Sequence, residues 1–336
     1  CTMRIAVITD PIQSRIAQAD PHSRQRNELT RKAVSGALLE LGHNVHMIEV
    51  GPNILHEIEA VHPDAMFNIA SGYNSKKQQA NVAAILELTD IPFTGSEAKT
   101  HVLALYKDIT KIILQHRHVP TPKFIVVHSA EELDSFPSNG KLPSPVIVKP
   151  SAEGSGVGIH ANSIAHYFEE VRRLVLNLME TVGPPIMVEQ FIPGREFTVA
   201  LVGYPKPTVL PIQEILLDEE ALYTYEVKTD DKVLSVCPAE ISPELTREIQ
   251  DLALESFAAI GCRDIARIDF RVSEDSVPYV LEINTLPGLT PGYSEVPRIA
   301  ERAGIGYTEL IRLILEGALK RFKKHAAKHF HSATQA

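Results

Sequence analysis

Short apolar runs alternate along this chain with segments of helical periodicity, and this alternation limits the fold more than any other feature of the sequence. The first run is residues 4–9 (RIAVIT), and similar runs follow at 45–49 and 65–69. The helical segment between the first two runs ends at Gly42. Its expected buried positions are Leu29, Ala33, Ala37 and Leu41. Strands that alternate with helices favour an α/β fold, so we expect residues 1–97 to form a doubly wound α/β domain.

Two further domains are expected after residue 97. The expected parts, in chain order, are the α/β domain 1–97, a central domain 98–185, a C-terminal domain 186–322 and a frayed tail 323–336. The strands expected after residue 97 cover 124–127, 146–150, 186–189, 197–202, 209–215, 266–272 and 279–283. Expected helices cover 164–181 and 307–320, and a third begins after Ser242 as its N-cap, with Pro243 in its first turn.

The charge and the cysteine content exclude several classes of protein. The net charge is −9 and the pI about 5.9, so the chain lacks the basic surface of a nucleic-acid-binding protein. No apolar run approaches the roughly 18 residues that cross a bilayer. Cys1, Cys237 and Cys262 are too widely spaced for a zinc site or a disulfide framework. Cys1 and Thr2 precede the first Met and read as residues added before the natural start; because no signal peptide follows them, we expect a cytoplasmic protein.

A glycine-rich loop follows the apolar run that ends at Lys149. Its sequence, Glu153-Gly154-Ser155-Gly156-Val157-Gly158, does not follow the first strand, as a dinucleotide-binding fingerprint does. It also lacks the Gly-Lys-Ser/Thr of a Walker A loop. The loop is either an ordinary glycine turn or a flexible loop whose backbone amides bind a polyphosphate. Lys149 favours the second interpretation, because a lysine at the end of a buried strand needs an anionic partner.

Polar and charged side chains alternate with apolar ones in two later strands. Arg267 and Asp269 lie on one face of the first, and Glu282 and Asn284 lie on one face of the second. Such groups are costly to bury unless they pair or bind a ligand. One interpretation is a buried salt bridge; the other is a Mg²⁺ site, because Mg²⁺ prefers oxygen ligands and shares phosphate oxygens of a nucleotide. Together with the glycine loop and Lys149, the metal–nucleotide interpretation is favoured.

Several motifs between about residue 90 and residue 322 resemble those of D-alanine–D-alanine ligases, members of the ATP-grasp superfamily. In chain order they are 146–151 (VIVKPS), 153–155 (EGS), 189–191 (EQF), 196–198 (EFT), 223–228 (YTYEVK), 237–239 (CPA), 267–269 (RID) and 281–288 (LEINTLPG). They occur in the family's order. The resemblance implies an N-terminal α/β domain and two domains that hold ATP between them, so the expected fold class is α/β of the ATP-grasp type.

The resemblance also implies a role for each matching residue. Nucleotide contacts would come from Lys107, Lys149, Glu153, Gly154, Ser155, Gly156, Glu189, Phe191, Ile192, Glu196 and Lys228. Within that set the lysines would contact phosphates, Glu189 the adenine and Glu196 the ribose, and Lys228 would lie on a mobile loop. Asp269, Glu282 and Asn284 would hold two Mg²⁺ ions, with Mn²⁺ as a substitute. The catalytic residues would be Arg267, Lys228, Ser155 and Gly288; Arg267 and the Gly288 amide would stabilise an oxyanion.

The reaction that the resemblance implies joins a small-molecule carboxylate to an amine. The carboxylate attacks the γ-phosphate of ATP, and the amine then displaces phosphate from the acyl phosphate. Positioning and charge stabilisation are sufficient for such a reaction, so no covalent nucleophile is required. We expect neither a nucleic acid nor a membrane as a partner, and a homodimer is compatible with the sequence.

The N-terminal part departs from the family's pattern. The family's glycine pair after the first strand is replaced by Thr9-Asp10-Pro11, and the tyrosine after the mobile-loop lysine is replaced by Thr229. Of the family's serine–glutamate–tyrosine set around the first D-alanine, only Ser155 remains. We therefore expect a different substrate pair. The alternatives are D-alanine–D-alanine ligation itself, a small-molecule kinase on the same scaffold and a non-catalytic nucleotide sensor.

Overall fold

The computed structural model describes residues 2–12, 21–73, 75, 78–135, 144–152, 163–216 and 234–333. The described strands form three sheets, one parallel and two antiparallel. None of the described helices is both long enough and apolar enough to cross a membrane. Five of the predicted site residues lie outside the described ranges: Glu153, Gly154, Ser155, Gly156 and Lys228.

The N-terminal sheet has three parallel strands in the order β2-β1-β3. They are β1 (Arg4–Thr9), β2 (Asn44–Glu49) and β3 (Ala65–Asn68). Its helices are α1 (Pro21–Glu40), α2 (Ile54–Val61) and α3 (Gln79–Glu87). Because the side chains of β1 alternate, Ala6 and Ile8 pack with α2 and α3, whereas Ile5 and Val7 pack with α1. The parallel sheet confirms the α/β architecture expected here; α2 is not among the predicted helices.

Helix α1 buries a face that overlaps the expected one only in part. Ala37 is buried as predicted and packs beside Val34 and Leu38, but Leu29 keeps 50% of its surface exposed. The C-terminal helix α10 (Tyr307–Ala333) explains the difference, because its residue Leu310 belongs to the same core cluster as Val34 and Leu38. A helix that is covered by an element far away in sequence cannot be oriented from its own periodicity.

The central sheet has four antiparallel strands in the order β4-β7-β5-β6. They are β4 (Phe124–Val127), β5 (Val146–Pro150), β6 (Ile164–Ala165) and β7 (Ile186–Gln190). The helices of this part are α4 (Ala98–Leu105), α5 (Lys107–His116), α6 (Ala130–Ser135) and α7 (Phe168–Thr181). The helix expected over 164–181 therefore begins four residues later, because Ile164 and Ala165 pair with β5 as a short strand.

The C-terminal sheet has the strand order β11-β10-β8-β12-β13, and β9 pairs with β8. Its strands are β8 (Gly194–Gly203), β9 (Thr208–Val209), β10 (Gln213–Ile215), β11 (Ser235–Val236), β12 (Asp264–Ser273) and β13 (Pro278–Asn284). The single strand expected over 209–215 is divided into β9 and β10. Pro211 lies between them and has no N–H with which to continue the ladder.

Three helices complete the C-terminal part: α8 (Pro243–Ala259), α9 (Glu295–Arg302) and α10. The predicted N-cap is confirmed, because the Ser242 side chain accepts a hydrogen bond from the Leu245 amide. Helix α10 continues past the predicted end at residue 320, and residues 321–333 contain neither glycine nor proline to stop it. Near this end Arg321 pairs with the buried Asp264 of β12 at 2.7 Å, which attaches the helix to the sheet.

Candidate active site

Four side chains predicted to share the faces of two strands meet in the C-terminal sheet. The antiparallel register places Arg267 opposite Asn284 and Asp269 opposite Glu282. The Arg267 guanidinium donates to both oxygens of Asp269, at 2.9 and 2.8 Å. The Asn284 side-chain amide donates to Asp269 at 3.0 Å and to Glu282 at 3.4 Å. From the neighbouring strand β8, Thr198 donates its hydroxyl hydrogen to Asp269 at 2.6 Å.

This cluster is compatible with both interpretations that the sequence leaves open, a buried salt bridge and a Mg²⁺ site. Burial alone would lower the pKa of Arg267, but Asp269 raises it above its ordinary value, so the guanidinium is charged. The same cluster brings together two carboxylates and an amide, which are the donor types that suit Mg²⁺. No group of three or more His, Cys, Asp or Glu side chains within the described residues could hold a metal ion. A cation at Asp269 and Glu282 would therefore need the amide oxygen of Asn284 as a third protein donor.

A second charged cluster lies inside the central sheet. Lys149 of β5 and Lys111 of α5 both pair with Glu189 of β7, at 2.7 and 2.8 Å. Lys111 also donates to the hydroxyl of Thr121 at 2.8 Å. Burial lowers the pKa of Lys111 to about 8, and Glu189 opposes this shift. Burial alone would raise the pKa of Glu189, but the two lysines bring it below its ordinary value, so the carboxylate is ionised.

Glu189 is therefore the anionic partner that a lysine at the end of a buried strand requires. Its carboxylate pairs with Lys149 and Lys111. The predicted contact between Glu189 and the adenine stays a prediction, and the backbone of Glu189 would have to make it. Lys107, at the first position of α5, lies 3.8 Å from the Glu282 carboxylate. The side chain of Lys107 thus lies between the lysine cluster and the carboxylates of the C-terminal sheet.

The predicted ribose residue Glu196 lies beside a buried arginine. Arg271 of β12 approaches the Glu196 carboxylate at 3.4 Å. Its guanidinium lies 4.6 Å from the ring centroid of Phe191, which is buried together with its neighbour Ile192. The structure thus brings two of the predicted nucleotide residues, Glu196 and Phe191, into contact with Arg271, which the sequence-based site does not include. The same alternation that relates Arg267 to Asp269 also reaches Arg271, so the signal is present in the sequence.

A cavity of about 340 Å³ lies between the C-terminal sheet and α1. Its sheet side contains Arg267, Glu282 and Asn284, and its floor contains Gly288. Its other side is formed by Asp10, Arg26, Asn27, Thr30 and Arg31. A Cβ at Gly288 would lie 2.6 Å from the Oγ of Ser294, so this loop packs too tightly for a larger residue without movement. The predicted oxyanion residues Arg267 and Gly288 therefore line one cavity with two of the three candidate metal ligands, Glu282 and Asn284.

Comparisons with known proteins show the family to which the chain belongs. Residues 113–316 match the family described as "D-ala D-ala ligase C-terminus". The D-alanine–D-alanine ligase of Fervidobacterium nodosum is 34% identical over 314 residues, which cover 89% of this chain and 96% of that protein. The chain belongs to the D-alanine–D-alanine ligase family.

Another relative from the same comparison has no named activity. The uncharacterized protein y4sG of Sinorhizobium fredii is 33% identical over 338 residues, which cover 95% of this chain and 98% of that protein. Among solved structures, the D-alanine–D-alanine ligase of Bacillus anthracis complexed with ATP has a TM-score of 0.75 at 24% identity. That match covers 96% of this chain and 100% of the other, so the likeness extends to the N-terminal sheet.

The family membership confirms the predicted fold class and the predicted reaction class. The fold is the α/β architecture of the ATP-grasp ligases. The chain is an ATP-dependent carboxylate–amine ligase of the ADP-forming kind. The clusters around Asp269 and Glu189 lie in the part that the family description covers, whereas α1 lies outside it.

Sequence reasoning misses three residues that support the candidate site: Lys111, Thr198 and His101. Lys111 is an ordinary helical lysine in the sequence, and only the packing of α5 reveals that it is buried. Thr198 lies within a matching motif but carries no charge to draw attention. The ring Nδ1 of His101 lies 2.7 Å from the hydroxyl of Thr285, the residue after Asn284, so this histidine supports the end of β13.

Proposed function

We propose that this ligase joins a small amino-acid-like carboxylate to an amine through an acyl phosphate, and that its substrates are not two D-alanines. The observation that carries the proposal is the cavity in which Arg267, Glu282 and Asn284 lie opposite residues of α1. The basic, acidic and amide side chains of the sheet side support ATP-dependent acyl activation there. Among the residues that the structure describes, the α1 side contributes arginine, asparagine and threonine together with Asp10, and no glutamate of this side lines the cavity.

Asp269, Glu282 and Asn284 would hold two Mg²⁺ ions, and Mn²⁺ would be able to replace them. Bound there, the metal would neutralise charge on the ATP phosphates. Lys107, 3.8 Å from Glu282, would add a positive charge at the same place. Lys149 would contribute in the same way from β5, because Glu189 fixes its position.

In the first step a substrate carboxylate oxygen attacks the γ-phosphorus of ATP, and the bond to the β–γ bridging oxygen breaks to release ADP. In the second step the amine nitrogen attacks the acyl carbon, the bond from that carbon to the phosphate oxygen breaks, and phosphate leaves with the bonding electrons. The nitrogen loses a proton, which the released phosphate can accept. Negative charge develops on the acyl oxygen between these events. Arg267 and the amide of Gly288 line the cavity where they would stabilise that oxygen, and such donors typically contribute about 3–4 kcal/mol each.

Other assignments are supported by the family resemblance alone. Glu153, Gly154, Ser155, Gly156 and Lys228 would cover the ATP phosphates. The division of the chain at residues 97, 185 and 322, the cytoplasmic location and a homodimer also stay predictions.

The test is an ADP-release assay over pairs of D- and L-amino acids and dipeptides, with mass spectrometry of the products. We expect D-alanine alone to give less than about a tenth of the turnover of the best pair, because the first-site groups differ. D-alanine–D-alanine ligation is the second candidate, since curated relatives that cover about nine-tenths of the chain carry that name. Efficient formation of D-alanyl-D-alanine at millimolar substrate would establish it and contradict our substrate proposal. ADP release that gives a phosphorylated product without an amine would instead indicate a kinase.

A further inference from the structure

The wall of the cavity contains a buried hydroxyl group, which belongs to Thr9 at the end of β1. The residue keeps only 1% of its surface exposed. Within the part of the chain that the structure describes, the Oγ of Thr9 has no hydrogen-bond partner. Buried polar groups are almost always paired, and an unpaired one lowers stability. The fold alone therefore does not explain why a threonine occupies this position.

The location of Thr9 suits contact with a ligand. Because the side chains of β1 alternate, Thr9 shares the face of Ile5 and Val7, which pack toward α1. Asn27 and Thr30 of α1 line the same cavity. Thr9 also lies at the carboxyl end of a parallel strand, which is the edge of an α/β sheet where ligands bind. The hydroxyl is thus on the side of the sheet where a substrate in the cavity would lie.

A second uncharged polar group lies on the same wall. Asn27, near the start of α1, lines the cavity and is half-buried. Its carboxamide offers both a donor and an acceptor, and the Thr9 hydroxyl can also serve as either. The two side chains can together hold a group that donates one hydrogen bond and accepts another.

We infer, on the basis of the proposed function, that one substrate carries an uncharged polar side chain and that Thr9 and Asn27 bind it. A hydroxyl or carboxamide group at this place would supply the partner that the Thr9 hydroxyl lacks. A site that hydrogen-bonds a polar group of its substrate rejects an apolar analogue, because the polar group of the protein is then left unpaired. The substrate class is therefore amino acids such as serine or asparagine, and not alanine.

The charged residues beside Thr9 have partners within the protein. Glu49 is paired with Thr9 in the register of β1 and β2, and its carboxylate lies 2.9 Å from Arg31. Asp10, the next residue in the chain, accepts hydrogen bonds from two backbone amides and a hydroxyl of the loop after β3, at 2.6 to 2.9 Å. A charged substrate group would compete with these contacts, whereas an uncharged one leaves them intact.

Two simpler partners for the Thr9 hydroxyl have to be distinguished from a substrate. If the partner is a bound water molecule, loss of the hydroxyl would leave the choice between polar and apolar substrates unchanged. If the partner is a group of the protein, loss of the hydroxyl would lower stability. The three cases therefore differ in two quantities, the ratio of kcat/KM between a polar amino acid and its apolar isostere, and the midpoint of unfolding.

The first experiment measures ADP release and product mass for isosteric pairs, serine against 2-aminobutyrate and asparagine against leucine. Aspartate against asparagine tests the effect of charge. Both enantiomers are supplied in the carboxylate role and in the amine role. The variants are Thr9→Val, Thr9→Ser and Asn27→Ala. The control is Thr100→Val, which alters a buried threonine outside the cavity lining that donates to the Ile260 carbonyl at 2.9 Å.

We expect the wild-type enzyme to prefer the polar member of the pair that it uses better, and asparagine over aspartate. Thr9→Val should lower kcat/KM for the polar member about 5- to 20-fold and change the apolar member by less than about twofold. Thr9→Ser keeps the hydroxyl and should keep the wild-type preference, and Asn27→Ala should weaken it. Thr100→Val should leave the preference unchanged.

Urea denaturation is the second experiment and does not depend on activity. The midpoint of Thr9→Val should equal or exceed that of the wild type, because its hydroxyl has no partner among the residues described. The midpoint of Thr100→Val should fall, because this variant loses a hydrogen bond that is present in the fold. A clearly lower midpoint for Thr9→Val would show that the protein itself pairs the hydroxyl, and would overturn the inference.

Other outcomes of the substrate assay would also overturn it. An unchanged preference in both Thr9→Val and Asn27→Ala would assign the hydroxyl to a bound water molecule. A wild-type preference for the apolar members, or for aspartate, would exclude an uncharged polar substrate. In each of these cases formation of a ligated product would leave the proposed ligase function intact. Absence of any ligated product from all pairs would contradict the proposed function and, with it, the inference.

Discussion

The sheet side of the cavity and its α1 side differ in how their charged residues are held. On the sheet side Asp269 accepts hydrogen bonds from Arg267, Thr198 and Asn284 at 2.6 to 3.0 Å. In the central sheet, the ion pair of Lys111 and Glu189 is almost completely buried. On the α1 side Arg26 is partly exposed, and its guanidinium carbon lies 4.9 Å from the ring centroid of Tyr293.

This difference has a consequence for the cost of substitution. Removing one member of a buried ion pair leaves an uncompensated charge, which typically costs about 3–5 kcal/mol. Changing a partly exposed residue costs far less, typically within about 0.5 kcal/mol when no special contact is lost. Substitutions of the buried charged residues are therefore costly on the sheet side, whereas the partly exposed residues of α1 can be replaced without loss of the fold. We infer that members of one ligase family can differ in substrate through α1 while sharing the ATP chemistry.

The largest effect is expected at Glu282, on the sheet side. Glu282→Gln removes the charge of a candidate metal ligand with little change in volume. We expect turnover to fall about 1,000-fold or more, because a metal ion in such a site supplies several kcal/mol of charge stabilisation. The Mg²⁺ concentration needed for half-maximal activity should rise in parallel, and the free energy of unfolding should change by less than about 1 kcal/mol.

Glu274→Gln is the matched control, because Glu274 is exposed in the turn between β12 and β13. It should leave both turnover and the Mg²⁺ dependence unchanged. Wild-type activity of Glu282→Gln would contradict the metal assignment and, with it, the chemical restriction of the sheet side.

A substitution at Lys111 tests whether the protein tolerates the loss of a buried charge, and the quantity measured is the free energy of unfolding. Lys111→Met keeps the apolar stem and removes the charge that pairs with Glu189. We expect the free energy of unfolding to fall by about 3 kcal/mol, at the lower end for a broken buried pair because Lys149 still faces Glu189 at 2.7 Å. Urea denaturation measures the change. The control Lys99→Met alters a lysine that is largely exposed and should stay within about 0.5 kcal/mol of wild type. An unchanged stability of Lys111→Met would show that the buried charge is dispensable.

The sequence predicts the sheet side better than the α1 side for a physical reason. Arg267 and Asp269 alternate within one strand, and so do Glu282 and Asn284, so the side on which they point follows from local geometry. Which residues of α1 face the cavity depends on α10, which is almost 300 residues away in sequence. Periodicity within α1 predicts Leu29 as buried, and the structure leaves it half exposed.

The same limit applies to the partners of the predicted residues. That Lys149 needs an anion follows from its position at the end of an apolar strand, but the identity of that anion does not. Glu189 becomes its partner because β5 and β7 are adjacent in the sheet. Lys111 joins them because α5 packs on the same sheet, a contact between elements that no local pattern indicates.

A smaller effect on stability is expected from pH, through His101 of α4. Burial lowers the pKa of His101 to about 4, against an ordinary value of 6.5. The unfolded chain therefore binds a proton below pH 6.5 that the folded protein binds only near pH 4, and stability is lost as the pH falls through this range. At pH 5 this amounts to about 2 kcal/mol relative to neutral pH.

Denaturation curves at pH 7.5 and 5.0 test this contribution. The loss of stability between these pH values should be about 2 kcal/mol smaller in His101→Gln than in wild type. His116→Gln, at an exposed position of α5, should keep the full wild-type loss. Identical pH dependence of wild type and His101→Gln would show that His101 is not buried in its neutral form.

The smallest effect is expected where α1 meets the C-terminal part, at Thr30. Thr30→Val removes the hydroxyl that lies 2.7 Å from the Thr290 hydroxyl and keeps the branched shape. One hydrogen bond of this kind is worth about 1 kcal/mol, which corresponds to about a fivefold change in an equilibrium constant. Because α1 forms one wall of the cavity, we expect KM for the amino-acid substrate to rise about fivefold. The KM for ATP should stay unchanged, since the nucleotide residues lie on other elements.

Thr308→Val provides the matched control for this contact. It removes another hydrogen bond to α1, the one from Thr308 to Glu40, which lies at the far end of the helix from the cavity. Both variants should lose a similar amount of stability, but only Thr30→Val should raise the substrate KM. Equal KM values in the two variants would mean that the position of α1 does not influence substrate binding. Substrate choice would then have to come from the sheet side, and the difference between the two sides of the cavity would concern stability alone.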